Sequence, residues 1–455
     1  MKLMKLLGHI GMVAFVSACG ASAPVKDSNL DGHYENATAA EMNAFIGQQS
    51  VVPEYAPVNK VIVGLPVLTV YRQEALIEEI FKAGVDQVLI SHSARNRNLT
   101  TEDGIFNRLA ERLEGVQTRD STGMTTRTNR IKDIMLVSHN TRGFSNRDEI
   151  TTWARDWAPL GAAITSGSSA GNMRLLDFNY YYHRQLDDYS SQAYAEAKSL
   201  DRVSVPVYNE GGNFMNDDDG VCLMTERVVE ANNARNAYFP EDQVYSQGQI
   251  KDFYRDFAGC KGVTIFERMP YEGTGHIDMW SKLLDNNTIM IGEYRENTLD
   301  TISHVVERNG QRVRVALQGF EEEFNAASAI QRFLEEQARK IEFEGVDITD
   351  ANGFKTKKFY KIVRVPMPAP SETSDGSLVF RSYTNSLFVN GSAIVPQYLS
   401  GYGSIYPDQS LRAAYEAEVT SVYRAAGYRV AFVPTDNLIR SGGAVHCVTM
   451  QLPKL

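Results

Sequence analysis

The sequence predicts an α/β protein made of one recurring unit, strand–hairpin–strand–helix–strand, repeated until the chain closes on itself as a ring of five. Three observations carry this. The unit recurs four times between residues 153 and 434, each time as short apolar strands, a turn and an amphipathic helix. The last stretch, residues 442–453, starts such a unit but ends before its helix. The stretch 60–90 supplies a strand, a helix and a strand with no hairpin of its own, so the two ends complement each other. Each unit leaves an apolar face it cannot bury alone, and a ring removes the exposed edges. An ordinary layered α/β fold with the same local grammar is the alternative.

In chain order, the first residues are not fold. Lys2 and Lys5 precede the apolar stretch Leu6–Val16, and Val16-Ser17-Ala18-Cys19 ends it with small residues, so 1–19 reads as an export signal. Cys19 followed by Gly20 resembles a lipobox, which makes Cys19 a lipidated N-terminus on the periplasmic or cell-surface side of a bacterial membrane; an ordinary cleaved signal is the alternative. No other segment approaches the ~20 apolar residues needed to span a bilayer. Residues 20–57, rich in Ala, Ser and Asn with Pro53 and Pro57, read as a flexible tether before a domain covering 58–455.

Within that domain Val61–Leu65 is the first buried strand, a helix presents Leu76, Ile77, Ile80 and Phe81 on one face and stops at Gly84, and Val85–Ile90 returns as a strand. Residues 92–130 are polar and Arg-rich with one helix near Ile105–Leu113, and Ile131–Val137 is a further strand. The units follow. The first runs Trp157–Ile164, Met173–Phe178, a helix near Gln192–Leu200 and Val203–Val207. The second starts at Asn213, turns at Asp219-Gly220, and has a helix with Ile250, Phe253, Tyr254 and Phe257 capped by Gly259, then Val263–Phe266. The third has strands at His276–Leu284 and Thr288–Ile291, a helix over Phe320–Ile341, and Tyr360–Val365. The fourth turns at Asn390-Gly391, a strong two-residue hairpin signal, and ends in a helix with Leu411, Tyr415, Val419 and Val422 and the strand Tyr428–Val433.

At 455 residues the chain can bury a large core, and its hydrophobic share of 43% is that of a soluble globular protein. A net charge of −10 argues against general nucleic-acid binding, which needs a basic face. Of the four cysteines, Cys19 belongs to the signal and Cys447 to a candidate site; Cys222 and Cys260 are either bridged or two separate buried thiols. Polar residues start each unit: Asp156, Glu210, His276 with Asp278, Asn385 and Cys447. A thiol, a histidine and several carboxylates brought to one pit suggest a nucleophile, a base and two anchors for a cationic substrate. The bland readings are an Arg–Asp turn at Asp156, a buried small hydrophobe at Cys447, and a zinc set of His276, Asp278 and Cys447, which lacks a second close-spaced His/Cys pair. His446 reads as structural, its side chain facing away from that of its strand neighbour.

Trp153-x-Arg-Asp156-x-x-Pro159, Glu210-Gly-Gly-Asn213, Gly275-His276-x-Asp278 and Gly442-Gly-x-x-His446-Cys447 together resemble the motifs of the guanidine-modifying (pentein) superfamily. Within it the chain is similar to the agmatine deiminase and Porphyromonas-type peptidylarginine deiminase family, over roughly residues 58–455. The resemblance implies a five-bladed α/β-propeller and hydrolytic deimination of a guanidinium group, with no metal or organic cofactor. Asp156 and Asp278 would each accept paired N–H bonds from the planar cation and set its carbon over Cys447. Cys447 would attack as thiolate, His276 would protonate departing ammonia and then activate water, and Glu210 would orient His276. Trp153 and Asn385 fall among the substrate-binding positions.

The substrate divides the motifs. Glu210-Gly-Gly resembles the agmatine branch; His276–Leu283 and Tyr383–Phe388 resemble the peptidylarginine branch. That branch reads a terminal carboxylate with arginines following an Asp-Phe-x-Tyr segment, here Asp177-Phe-Asn-Tyr180, where Arg184 is available but Tyr182 replaces the second arginine. Export favours peptidyl- or free arginine, with agmatine as the alternative. A catalytically silent guanidinium-binding lipoprotein and an amidinotransferase are the remaining readings.

Overall fold

The computed structural model describes residues 44–93, 150–181, 184–233, 244–349, 353–373, 376–399 and 409–455, with strand backbone at 118–119, 125–126 and 131–136. Cys19, the expected signal, most of the expected tether and the helix read near residue 105 lie outside them. Among the described residues no helix is long and apolar enough to cross a membrane.

Among the described residues five mixed sheets share one topology: two strands pair antiparallel, and the second pairs parallel with the strand that follows a helix. In the first, Leu160–Ile164, Met173–Asn179 and Asp201–Tyr208 enclose the helix Gln185–Lys198, which starts earlier than its apolar pattern predicts. The second joins Met215–Asn216, Val221–Thr225 and Gly262–Phe266. Its helix, Gln247–Ala258, begins with a reciprocal cap between Ser246 and Gln249 and ends at Gly259, whose positive φ of 73° spares a β-carbon clash. The third joins Ser281–Asp285, Thr288–Glu293 and Lys361–Pro366 around the helix Glu321–Arg339, acidic in its first turn and basic in its last, as the helix dipole favours. The fourth joins Leu387–Val389, Ser392–Gln397 and Arg429–Pro434, and its hairpin has positive φ at both Asn390 and Gly391.

The fifth sheet uses both ends of the chain. Thr449–Pro453 pairs antiparallel with Val58–Gly64, placing Val63 opposite Thr449, and Val58–Gly64 pairs parallel with Gln87–Ser93. The complementarity of the termini is therefore realised as backbone pairing. Ile131–Leu136, assigned to no unit from the sequence, extends this sheet as a further parallel strand. Two hairpins inserted in the third unit, Ser303–Arg308 with Gln311–Ala316 and Val346–Thr349 with Lys355–Lys358, also escaped the sequence reading. Their residues are mostly solvated, and the alternation at Val313 and Val315 and at Val346 and Ile348 is too short to mark a strand.

The expected tether ends sooner than residue 57. Gln49–Val51 adds an edge strand to the first sheet, with Val51 opposite Ala162. Its polar residues are buried by pairing rather than solvated: Gln49 donates to the Phe257 carbonyl at 2.9 Å and accepts from Arg174 at 2.7 Å. Cys222 and Cys260 form a disulfide with a Cα–Cα distance of 5.8 Å, tying the middle strand of the second sheet to the end of its helix.

Candidate active site

The candidate residues sit where the chain enters the first strand of each sheet. Asp156 lies on the short helix Ala154–Trp157 before Leu160; Gly211–Asn213 form one helical turn before Met215; Ile277–Met279 form another before Ser281. Asn385 precedes Leu387, and Cys447 precedes Thr449. Small residues let these turns approach. A β-carbon on Gly211 would lie 2.1 Å from the Arg155 carbonyl oxygen. One on Gly212 would lie 2.7 Å from His276 Nδ1 and 3.1 Å from both Asp156 Oδ1 and Asp278 Oδ2, so those three side chains surround a single backbone atom. Asn213 is structural: its Oδ1 accepts from the Thr225 amide and hydroxyl at 3.0 and 2.9 Å.

Cys447 is the free cysteine among the described residues, and it is buried. Its Sγ lies 3.1 Å from Asn385 Nδ2 and 3.7 Å from Asp278 Oδ2. Burial pushes the thiol well above its ordinary range, and the Asp278 and Asp156 carboxylates push it further, against a smaller lowering from the Asn385 hydrogen bond. Asp278 is fully buried; its Oδ2 accepts from Asn385 at 2.9 Å and meets His446 Nδ1 at 2.7 Å, while Oδ1 has no hydrogen-bond partner among the described residues. A buried carboxylate oxygen left in that condition is an acceptor site for a ligand N–H.

His276 faces three acids. Its Nε2 is 3.2 Å from Glu210 Oε2 and its Nδ1 is 3.8 Å from Asp156 Oδ1, neither aligned as a hydrogen bond. Burial opposes its charge, but Asp156 and Glu210 outweigh burial and raise its pKa to about 10, so the imidazolium persists at neutral pH. Burial raises Asp156 to about 7, with help from Glu210 and Asp278 and against His276; the Gly212 amide donates to its Oδ1 at 3.1 Å. Burial would also raise Glu210, yet His276 and Arg227 hold it well below the usual carboxylate range. Arg227 Nε donates to Glu210 Oε2 at 2.8 Å, and the Tyr181 hydroxyl donates to Oε1. Trp153 closes the other side: a β-carbon on Gly443 would lie 2.5 Å from its ring and 2.9 Å from the Cys447 sulfur. Among the described residues no group of three or more His, Cys, Asp or Glu side chains is arranged to hold a metal ion.

The structure thus brings Cys447, His276, Asp156, Asp278, Glu210, Asn385 and Trp153 together. It corrects one expectation, the orientation of His446, and gives Asn385 and Arg184 partners within the protein. Asn385, placed among substrate-binding residues, spends its amide on protein: Nδ2 on Cys447 and Asp278, Oδ1 on the His446 amide at 3.1 Å. His446 does not face away, because residues 445–448 form a turn and strand alternation does not apply there. Arg184, expected to receive a substrate carboxylate, has Nη1 4.0 Å from Asp187 and its guanidinium over the Tyr181 ring. Glu54 was missed altogether. It lies in the expected tether, yet its Oε1 meets His446 Nε2 at 2.8 Å and accepts from Arg155 at 2.7 Å, and Lys282 donates to its Oε2. Its only sequence signal is an acid between Pro53 and Pro57 just before the first strand.

A buried thiol 3.7 Å from a carboxylate whose other oxygen is unmatched, with an imidazolium and further acids beside it, is the set of groups a hydrolase of guanidino groups uses. Comparison with known proteins agrees. The curated agmatine deiminase of Medicago truncatula is 22% identical over 338 residues, covering 67% of this chain and 76% of that protein. The agmatine deiminase of Enterococcus faecalis superposes with a TM-score of 0.57 at 17% identity, covering 91% of this chain and 97% of that one. The C. jejuni agmatine deiminase superposes with a TM-score of 0.55 at 15% identity, covering 90% and 97%. The Porphyromonas-type peptidyl-arginine deiminase family model matches residues 88–328 and 335–453, and the chain belongs to that family. It is a hydrolase acting on the C–N bond of a guanidino group.

Proposed function

We propose that the chain deiminates agmatine or a similarly small alkylguanidine, replacing the arginine substrate favoured by the sequence. The observation that carries this is the pairing of the cations around the site. Arg227 is taken up by Glu210 at 2.8 Å and Arg184 lies 4.0 Å from Asp187, so the site offers acids rather than a ready cation to the substrate's far end. The relatives named above as agmatine deiminases point the same way. Peptidyl- or free arginine is the second reading, favoured by the family's name and by the Arg184 side chain, 35% exposed on a long ion pair.

The chemistry uses the groups as placed. A guanidinium lies flat between Asp156 and Asp278, donating to Asp278 Oδ1 and Asp156 and setting its carbon over Cys447 Sγ. The arriving cation offsets the two carboxylates that oppose the thiolate, so the thiol releases its proton to solvent and the nucleophile forms when substrate is present. Attack gives a tetrahedral adduct. The His276 imidazolium passes its proton to the leaving nitrogen, and ammonia departs from an amidino-cysteine intermediate. Neutral His276 then takes a proton from water as the oxygen attacks that carbon, and the thiolate leaves the ureido product.

We further propose that the five sheets are blades of one five-bladed α/β-propeller around this pit, and that the protein is exported and lipid-anchored through Cys19. The paired chain ends support the first, and the buried Cys222–Cys260 bridge supports an oxidising compartment. Incubating the protein with agmatine, free arginine and an arginine-terminated peptide, and measuring ammonia and ureido product, tests the substrate. A higher kcat/KM for arginine or the peptide overturns the agmatine reading. Absence of ammonia from all three overturns deimination of these substrates.

A further inference from the structure

A second buried network begins where the catalytic one stops. His446 is fully buried between two carboxylates, Nδ1 2.7 Å from Asp278 Oδ2 and Nε2 2.8 Å from Glu54 Oε1. A neutral imidazole carries one N–H and one lone pair, and an ionised carboxylate can only accept. Two N···O contacts of this length therefore need two protons across the three groups, which places both on the ring when both acids are ionised. The Glu54 end is built to keep its charge. Arg155, 2% exposed, pairs with Oε1, and Lys282, 1% exposed, pairs with Oε2. The other end is one atom from the chemistry, since Asp278 Oδ2 is also the oxygen 3.7 Å from Cys447 Sγ.

We propose that Glu54 is a positioning residue that acts through His446: it keeps the imidazole doubly protonated, so that Asp278 presents a neutralised Oδ2 to the sulfur and keeps Oδ1 for the substrate. This rests on the reading of Cys447 as nucleophile. A bare carboxylate 3.7 Å from a thiol opposes its ionisation, and burial has already pushed this thiol up. Two hydrogen bonds on Oδ2, from Asn385 and from a cationic His446, are what offset that opposition. The segment carrying Glu54 is anchored beside the site by its own strand, Gln49–Val51, and by Val58–Gly64, which pairs with the strand following Cys447.

Glu54→Gln isolates the charge. A glutamine amide can donate to Nε2, so the ring needs a single proton and His446 becomes neutral while keeping both contacts. Because the amide nitrogen that replaces Oε1 then faces Arg155 while the amide oxygen still accepts from Lys282, Glu54→Gln is compared with Glu54→Gln/Arg155→Met, which removes the opposing donor. The readout that does not depend on turnover is the rate of Cys447 alkylation by iodoacetamide in the substrate-free protein across pH 6–10. The groups that bear on this profile are Asp278, Asp156, His276, His446 and Glu54 with its partners Arg155 and Lys282. Alkylation is expected to slow on the order of tenfold at a fixed pH in both variants, with the thiolate profile displaced upward. The fall in kcat should be of similar size in both, whereas melting temperature falls in the single variant and recovers in the double. An unchanged alkylation profile in either folded variant overturns the proposal, as does an alkylation rate that recovers along with melting temperature. If wild type alkylates at Cys447 but turns over no guanidine, the functional reading fails while the alkylation comparison still decides this one.

Discussion

Cys447 Sγ and Asp278 Oδ2 lie 3.7 Å apart in a fully buried setting, so the thiol proposed as nucleophile shares its space with an acid. That neighbour makes the thiol a poor nucleophile until a cation arrives. Two consequences can be measured. Cys447→Ser should lose activity by on the order of 10⁴-fold or more in steady-state turnover, as loss of a covalent nucleophile does elsewhere. Chloroacetamidine, which brings its own cation, should inactivate the enzyme faster than iodoacetamide, reversing their order on a free thiol. Equal reactivity with both reagents would show that the thiolate exists without a bound cation.

Gly443 is held to glycine by space. A β-carbon there would sit 2.5 Å from Trp153, 2.7 Å from the Cys447 β-carbon and 2.9 Å from its sulfur. Gly443→Ala must therefore push the ring or the sulfur aside, at an overpacking cost of about 1–3 kcal/mol. A displaced sulfur misses the line to the guanidinium carbon, and kcat should fall by about 10²-fold with the circular dichroism spectrum unchanged. Normal kcat in this variant would mean that the wall at Trp153 yields freely.

The sequence made the repeated unit legible because each sheet buries both strands of its hairpin and one face of its helix. Ile289, Met290 and Ile291, or Ala393, Ile394 and Val395, are continuous apolar runs that only a covered strand tolerates. The side chains gathered at the site were legible through their motifs, and Gly212 and Gly443 show why the glycines travel with them. What stayed hidden was polar and buried. Glu54 and Gln49 look like tether residues because their charge or amide is matched by Arg155, Lys282 and Arg174, partners far away in the chain. His446 was misjudged by applying strand alternation to a turn. Arg184 was legible as a residue type but its carboxylate partner was not, and Arg227 went unread.

Asp156 gives the site a pH dependence with a defined sign. Burial raises its carboxyl to about 7, so below that pH it is protonated in the free protein, while a bound guanidinium favours the ionised form. Binding then releases the Asp156 proton, and this contribution to affinity should fall up to about tenfold per unit as pH drops below 7 and level off above it. His276, at about 10, keeps its charge through this window and adds no slope. Asp156→Asn should flatten the profile between pH 5 and 7 and weaken binding above it, as read by KM or titration calorimetry. The free protein's stability runs the opposite way: an acid raised on folding stabilises fully below its ordinary value and loses that contribution as pH rises through about 7. Asp187 and Asp188, also buried at about 7 and paired with Thr151 and the Tyr180 amide, add to that loss without touching the substrate.

The Cys222–Cys260 bridge should act on stability and leave chemistry alone. It closes a loop with a sequence separation of 38, for which the chain-entropy account gives about 4 kcal/mol. Both cysteines are almost fully buried against the helix Gln247–Ala258, so replacing them by alanine removes packing as well as the crosslink. Cys222→Ala/Cys260→Ala should therefore unfold at lower denaturant, by about 2–5 kcal/mol, with kcat and KM unchanged at a temperature where it remains folded. Dithiothreitol should reproduce the crosslink's share of the loss in the wild type and have no effect on the double variant. A change in kcat for the folded variant would mean that the second sheet transmits strain to the turn at Gly211–Asn213, contrary to the rigid contacts that Asn213 makes with Thr225.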